Sequence, residues 1–168
     1  GTPTISYILP TGCYSTVTIT VNPLPTITSV TASPTLLCIG SNISLSATGV
    51  SGIGSPTYSW TGPNSYSSAA TAPSFTASVT AASGVYSLTV TYPGTGCTSA
   101  TSTTTAVTVN PVPTITSVSA SPTLLCVGST ISLSATGVTG FSGSPTYAWT
   151  GPNSYSDAGT APSFTASV

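Results

Sequence analysis

The chain contains no lysine, arginine, histidine, glutamate or methionine, and its single acidic side chain is that of Asp157. General acid–base catalysis, metal coordination and phosphate binding all draw on those groups, so no enzyme and no cofactor is expected. With no cation to displace counterions from phosphates, nucleic acid is excluded as a partner, and so is electrostatic attraction to anionic lipid. Calcium needs several carboxylate oxygens per ion, and Asp157 alone cannot supply them, so calcium is not expected to stiffen the protein either. Trypsin has no site at which to cut. No apolar run is long enough to span a bilayer as a helix. The net charge of −1 gives almost no colloidal repulsion, which suits an assembled or tethered protein better than a dissolved monomer.

What is present is Ser, Thr, Gly and Pro among β-branched and aromatic residues, a composition poor in helix formers. Disordered stalks share that polar composition, but they are not 39% hydrophobic with a mean hydropathy of +0.40. An all-β fold is expected. Residues 22–50, NPLPTITSVTASPTLLCIGSNISLSATGV, return almost unchanged as residues 110–138. Cys38 and Cys126 stand 88 positions apart, and Trp60 and Trp149 89 apart, because the second copy carries one extra residue in GVTGFSGSPTYAW. A period of that length is a whole domain rather than one turn of a solenoid.

The turn signals divide the chain into residues 1–23, two closing strands of a preceding domain; 24–111, one complete domain of about seven strands; and 112–168, an incomplete copy. In the first segment Ile19 and Val21 match Val107 and Val109 as inward positions, and Cys13 falls opposite Cys97. In the second, ISLSAT alternates with Ile43, Leu45 and Ala47 inward, TYSWTG puts Tyr58 and Trp60 on one face, and GVYSLTVTY gives the inward set Tyr86, Leu88 and Val90. GPNSY reads as a turn, and SFTASVT as the next strand. The linkers NPLP and NPVP contain Pro at alternate positions and are expected to hold neighbours in an extended, semi-rigid line. The 1–23 and 112–168 segments complement one another, so the strands that complete the last copy are expected from the next subunit or from the next stretch of a longer chain.

The order Cys38, Trp60, Tyr86, Cys97 resembles the immunoglobulin sandwich, with a core Trp on its third strand and a corner Tyr on its sixth. SPTYSWTGP, SGVYSLTVT and GCTS are similar to the immunoglobulin-like and PKD-like repeats of giant secreted surface proteins of Bacteroidetes-type bacteria. GTPTISYILPTGC resembles the end of a bacterial immunoglobulin-like group 2 domain. The resemblance covers the whole chain. It implies tandem immunoglobulin-like antiparallel β-sandwiches on an extracellular or cell-surface protein used for adhesion, spacing or gliding. The chain departs from the PKD pattern after the Trp, where Thr61-Gly62-Pro63-Asn64 stands in place of acidic residues.

Under this reading Trp60, Tyr86 and Trp149 are core residues, while Tyr66 and Tyr155 in the two GPNSY turns are candidate surface contacts. Four cysteines in a non-catalytic chain point to an oxidising compartment. Two pairings stay open: Cys38 with Cys97 inside a domain, or Cys38 with Cys13 of the following unit and Cys126 with its Cys97. Both leave no free thiol. Asn42-Ile43-Ser44 is a formal N-glycosylation match, although the second copy has Thr130 there, and O-glycans on outward Ser and Thr fit a nearly uncharged chain better. Two functions follow. One is a structural segment of an extracellular filament or surface stalk whose partner is another copy or the continuing repeat. The other is an adhesin module binding glycans or surfaces through its loops.

Overall fold

The computed structural model describes residues 1–141 and 143–167; the final residue of the expected 112–168 segment lies outside the described residues. The fold is all-β, in two compact units, Gly1–Val109 and Asn110–Val168.

The first unit opens with a hairpin of β1 (Thr4–Ile8) and β2 (Tyr14–Thr18), turned through Gly12 at φ 83°. The ladder continues to the end of the segment, where the Ile19 and Val21 amides donate to the Pro3 and Gly1 carbonyls at 2.9 and 2.7 Å. These two strands form a sheet of their own. Ile19 and Val21, expected to point into a core, are exposed, because no second sheet lies over the hairpin among the described residues.

The sandwich itself follows. Strands β3 (Ser29–Ser33), β4 (Leu36–Cys38), β5 (Asn42–Thr48), β6 (Thr57–Gly62), β7 (Tyr66–Ser68) and β8 (Ser74–Thr76) lead to a single 3-10 turn at Thr80–Ala82. Then come β9 (Ser87–Tyr92), β10 (Cys97–Thr98), β11 (Ser102–Thr103) and β12 (Thr108–Asn110). One sheet has the order β3-β5-β8. The other runs β10-β9-β6-β7 with β11 also on β9, and β12 pairs with β4. Every register given for the two sheets is antiparallel. This is immunoglobulin-like strand order: first, second and fifth strands in one layer, third and sixth paired in the other.

Strict alternation decides which side chains meet. Val30 and Ala32 of β3, Ile43 and Leu45 of β5, Trp60 of β6, and Leu88, Val90 and Tyr92 of β9 join Tyr86, Val107 and Val109 in one buried cluster. Tyr86 Oη donates to the Ala82 carbonyl at 2.7 Å, tying the corner before β9 to the 3-10 turn. Buried hydroxyls flank β11: ahead of it the Val90 amide donates to Ser99 Oγ at 3.0 Å, and just past it the Tyr86 amide donates to Thr104 Oγ1 at 3.1 Å.

The second unit contains β13 (Ser117–Ser121), β14 (Thr130–Thr136), β15 (Trp149–Thr150), β16 (Ser156–Asp157) and β17 (Ser163–Thr165). Strands β13-β14-β17 repeat the sheet β3-β5-β8, down to the Ile131↔Phe164 register that copies Ile43↔Phe75. The hairpin β15-β16 repeats β6-β7. Among the described residues nothing corresponds to β9 through β12.

Candidate interaction surface

Trp60 has no exposed surface, and its Nε1 donates to the Ala70 carbonyl at 2.9 Å. Trp149 makes the same bond to Gly159 at 2.8 Å but is only half-buried, since no counterpart of β9 lies beside it. Tyr86 is fully buried, and desolvation raises its hydroxyl above the usual tyrosine range, with the neighbouring Tyr66 adding to the rise. Asp157 accepts from the Gly159 amide at 2.6 Å, the turn-closing bond that Ser68 accepts from Ala70 in the first copy. The only carboxylate of the sequence thus holds a turn.

The two GPNSY tyrosines face inward rather than outward. Asn64 and Ser65 both adopt left-handed backbone, φ 54° and 56°, as do Asn153 and Ser154, so each turn is of the tight primed kind. Gly62 pairs with Tyr66 across that turn, which puts Tyr66 on the same face as Trp60. Its ring stacks on Phe75 at 4.1 Å and meets Tyr86 edge-on at 5.5 Å. Tyr155 lies on Phe164 at 4.2 Å in the same way. Each ring thus has one face against a phenylalanine.

No disulfide joins any two of the four cysteines within the chain; Cys97 is half-buried and the others are exposed. The intradomain pairing of Cys38 with Cys97 is prevented by distance. Cys38 precedes β5, beside the Gly40-to-Ala77 hydrogen bond, whereas Cys97 pairs with Tyr92, whose ring lies against Gly52 past the far end of β5. Six steps along β5 separate those ends by about 20 Å, and a disulfide tolerates a Cα separation of about 7 Å.

Two apolar surfaces remain. The first is the hairpin. Cross-strand pairing of Ile5 with Val17, and the continuing ladder that sets Ile19 beside Pro3 and Val21 beside Gly1, place Ile5, Tyr7, Leu9, Val17, Ile19 and Val21 on one face. All six are exposed, Tyr7 to 70%. The second is the inner face of the second unit. Val118 is 60% exposed where its counterpart Val30 is 7% exposed. Two troughs of about 570 and 540 Å³ open there, the first lined by Val118, Ala135, Tyr147 and Trp149 among others, the second by Ile131, Leu133, Tyr155 and Phe164 among others.

No family model matches the chain, and no curated protein matches it. Among solved structures it is similar to murine CEACAM1b, at 12% identity and a TM-score of 0.41, over 64% of this chain and 65% of that one. The chain therefore spans less than two thirds of that structure, and the immunoglobulin-like assignment rests on the strand order and core described above.

Proposed function

We propose that the chain is a structural segment of an extracellular filament or surface stalk, of the secreted bacterial repeat kind that its sequence resembles, built from immunoglobulin-like modules joined head to tail. The observation that carries this reading is that the two copies share not only strands but loops. The GPNSY turn, the Trp-to-carbonyl bond and the inward tyrosine recur in both. Modules whose work is to hold a particular ligand diverge in their loops, since that is where ligand contacts are made. Modules whose work is to repeat do not. The near absence of charge supports the same reading, because a chain with one acidic side chain and no basic ones keeps its stability and its contacts across changes of pH and salt.

The adhesin alternative is less favoured, since Tyr66 and Tyr155 each lie against a phenylalanine on the inner face. A glycan array probed with the purified chain separates the two readings. Background-level signal throughout is the expected result, and saturable binding to a defined glycan would replace the structural reading with the adhesive one.

A further inference from the structure

Each GPNSY turn carries an asparagine followed by a serine. We propose that Asn64 and Asn153 are sites of spontaneous succinimide formation, where each module exchanges a neutral amide for a carboxylate using only its own backbone and water. The backbone nitrogen of Ser65 attacks Cγ of Asn64, a C–N bond closes a five-membered imide, and ammonia leaves with the proton that the nitrogen gives up. Water then opens the ring. Attack at the side-chain carbonyl breaks the new C–N bond and gives aspartate on the normal backbone, whereas attack at the main-chain carbonyl breaks the old peptide bond and gives isoaspartate. No electrons are transferred, so no oxidant or reductant is needed. Ser154 and Asn153 react in the same way.

Asparagine is thermally labile in general, and the surroundings decide which one reacts. Asn22 and Asn110 precede proline, whose nitrogen has no proton to lose. Asn42 opens β5, and its Oδ1 accepts from Thr76 Oγ1 at 2.8 Å. The next residue is the fully buried, β-branched Ile43, held opposite Phe75, so ring closure there would pull β5 from its sheet. Asn64 and Ser65 are both exposed, as are Asn153 and Ser154. Among the described residues the Ser65 and Ser154 amides donate to no backbone acceptor, so no such bond has to break to free either nitrogen. The turns are closed by Tyr66 donating to the Pro63 carbonyl at 3.2 Å and Tyr155 to Pro152 at 3.1 Å, near the long end of the range for such bonds. Rotation of the asparagine toward the following nitrogen therefore meets little resistance.

The consequence is large because the chain has so little charge. Two added carboxylates take the net charge from −1 to −3, and colloidal repulsion rises where near-neutrality had favoured association. In the second copy the new carboxylate joins Asp157 in the same hairpin. The two products differ in their effect on the core. Aspartate accepts left-handed backbone as asparagine does, so the normal product keeps Tyr66 opposite Gly62. Isoaspartate adds a backbone carbon inside the turn and disturbs the register that lays Tyr66 on Phe75. The reaction needs only the turn and water, so it is independent of the head-to-tail reading.

Incubation of the full chain in warm, mildly alkaline buffer should convert its isoelectric-focusing band stepwise into two more acidic ones, with ammonia released in proportion. Chymotrypsin, cutting after Trp60 and Tyr66 and after Trp149 and Tyr155, releases the same peptide TGPNSY from both copies. Mass spectrometry and retention time should find that peptide as asparagine, aspartate and isoaspartate forms. Asn64→Gly, a residue at ease in left-handed backbone, should remove one acidic band, and Asn64→Gly with Asn153→Gly should remove both. Synthetic TGPNSY is the unfolded control. A native chain that keeps a single band while the free peptide reacts overturns the proposal, since the folded turn would then block ring closure. So do acidic bands that persist in the double variant, or new carboxylates mapped to Asn22, Asn42 or Asn110 in the native chain.

Discussion

Replacing Trp60 by Ala removes the largest side chain in the first unit from a site with no solvent exposure. The neighbours that would have to close the gap belong to opposite sheets, Leu45 and Ile43 on β5 and Leu88 and Val90 on β9, each already fixed by a strand ladder. Collapse is therefore limited, and the loss should lie in the usual range for a large aromatic truncation, about 3–5 kcal/mol. The Ala70 carbonyl that accepts from Trp60 Nε1 belongs to an exposed residue and can turn to water, so its orphaning adds little. For a unit of this size each kcal/mol moves the melting temperature by roughly 4–8 °C, so the transition of the first unit should fall by about 12 °C or more. Guanidinium titration followed by far-ultraviolet circular dichroism reads the loss. In this variant the remaining tryptophan is Trp149, so fluorescence reports the second unit alone and its midpoint should stay where it was. A loss below about 1 kcal/mol, or a parallel shift in the Trp149 signal, would refute the placing of Trp60 at the centre of an independent core.

A Cβ on Gly62 would run into the Tyr86 ring, so Gly62→Ala should cost about 1–3 kcal/mol through overpacking, whereas Gly94→Ala, with nothing within 4 Å of the added atom, should be neutral by the same titration. The first unit contains no Asp, Glu, His, Lys or Arg, so its stability should be level from about pH 3 to pH 8. Desolvation raises the Tyr66 and Tyr86 hydroxyls above their ordinary value, the Tyr66 rise being opposed by a hydrogen bond with Ser68. The folded state therefore keeps protons that the unfolded chain gives up above about pH 10, and stability should fall as pH rises beyond that point. Denaturant midpoints taken from pH 4 to 11.5 check both parts. A decline on the acid side would contradict them.

Much of the fold lay in plain alternation. Ile43 and Leu45 on β5, and Leu88 and Val90 on β9, were legible because each strand has one buried face and one wet one, and Trp60 and Tyr86 because their spacing is that of a sandwich core. The direction of Tyr66 was not. GPNSY reads as a turn, and a turn suggests exposure, but the residue count across it sets parity: with Asn64 and Ser65 both left-handed, Tyr66 falls opposite Gly62 and so on the inner face. The signal was present in the pairing of two turn-forming residues, and three-residue β7 was too short to show a period of its own. The exposure of Ile19 and Val21 was illegible for a different reason. Their pattern matches that of Val107 and Val109, and sequence pattern records which face is apolar, not whether anything covers it.

The central claim is that these modules exist to be strung together. Electron microscopy of the native extracellular material, with the chain located by an antibody to the first unit, examines it most directly. Unbranched beaded fibres or stalks labelled at regular intervals along their length are the predicted result. Discrete compact particles, or label confined to the tip of a structure built from something else, would contradict it.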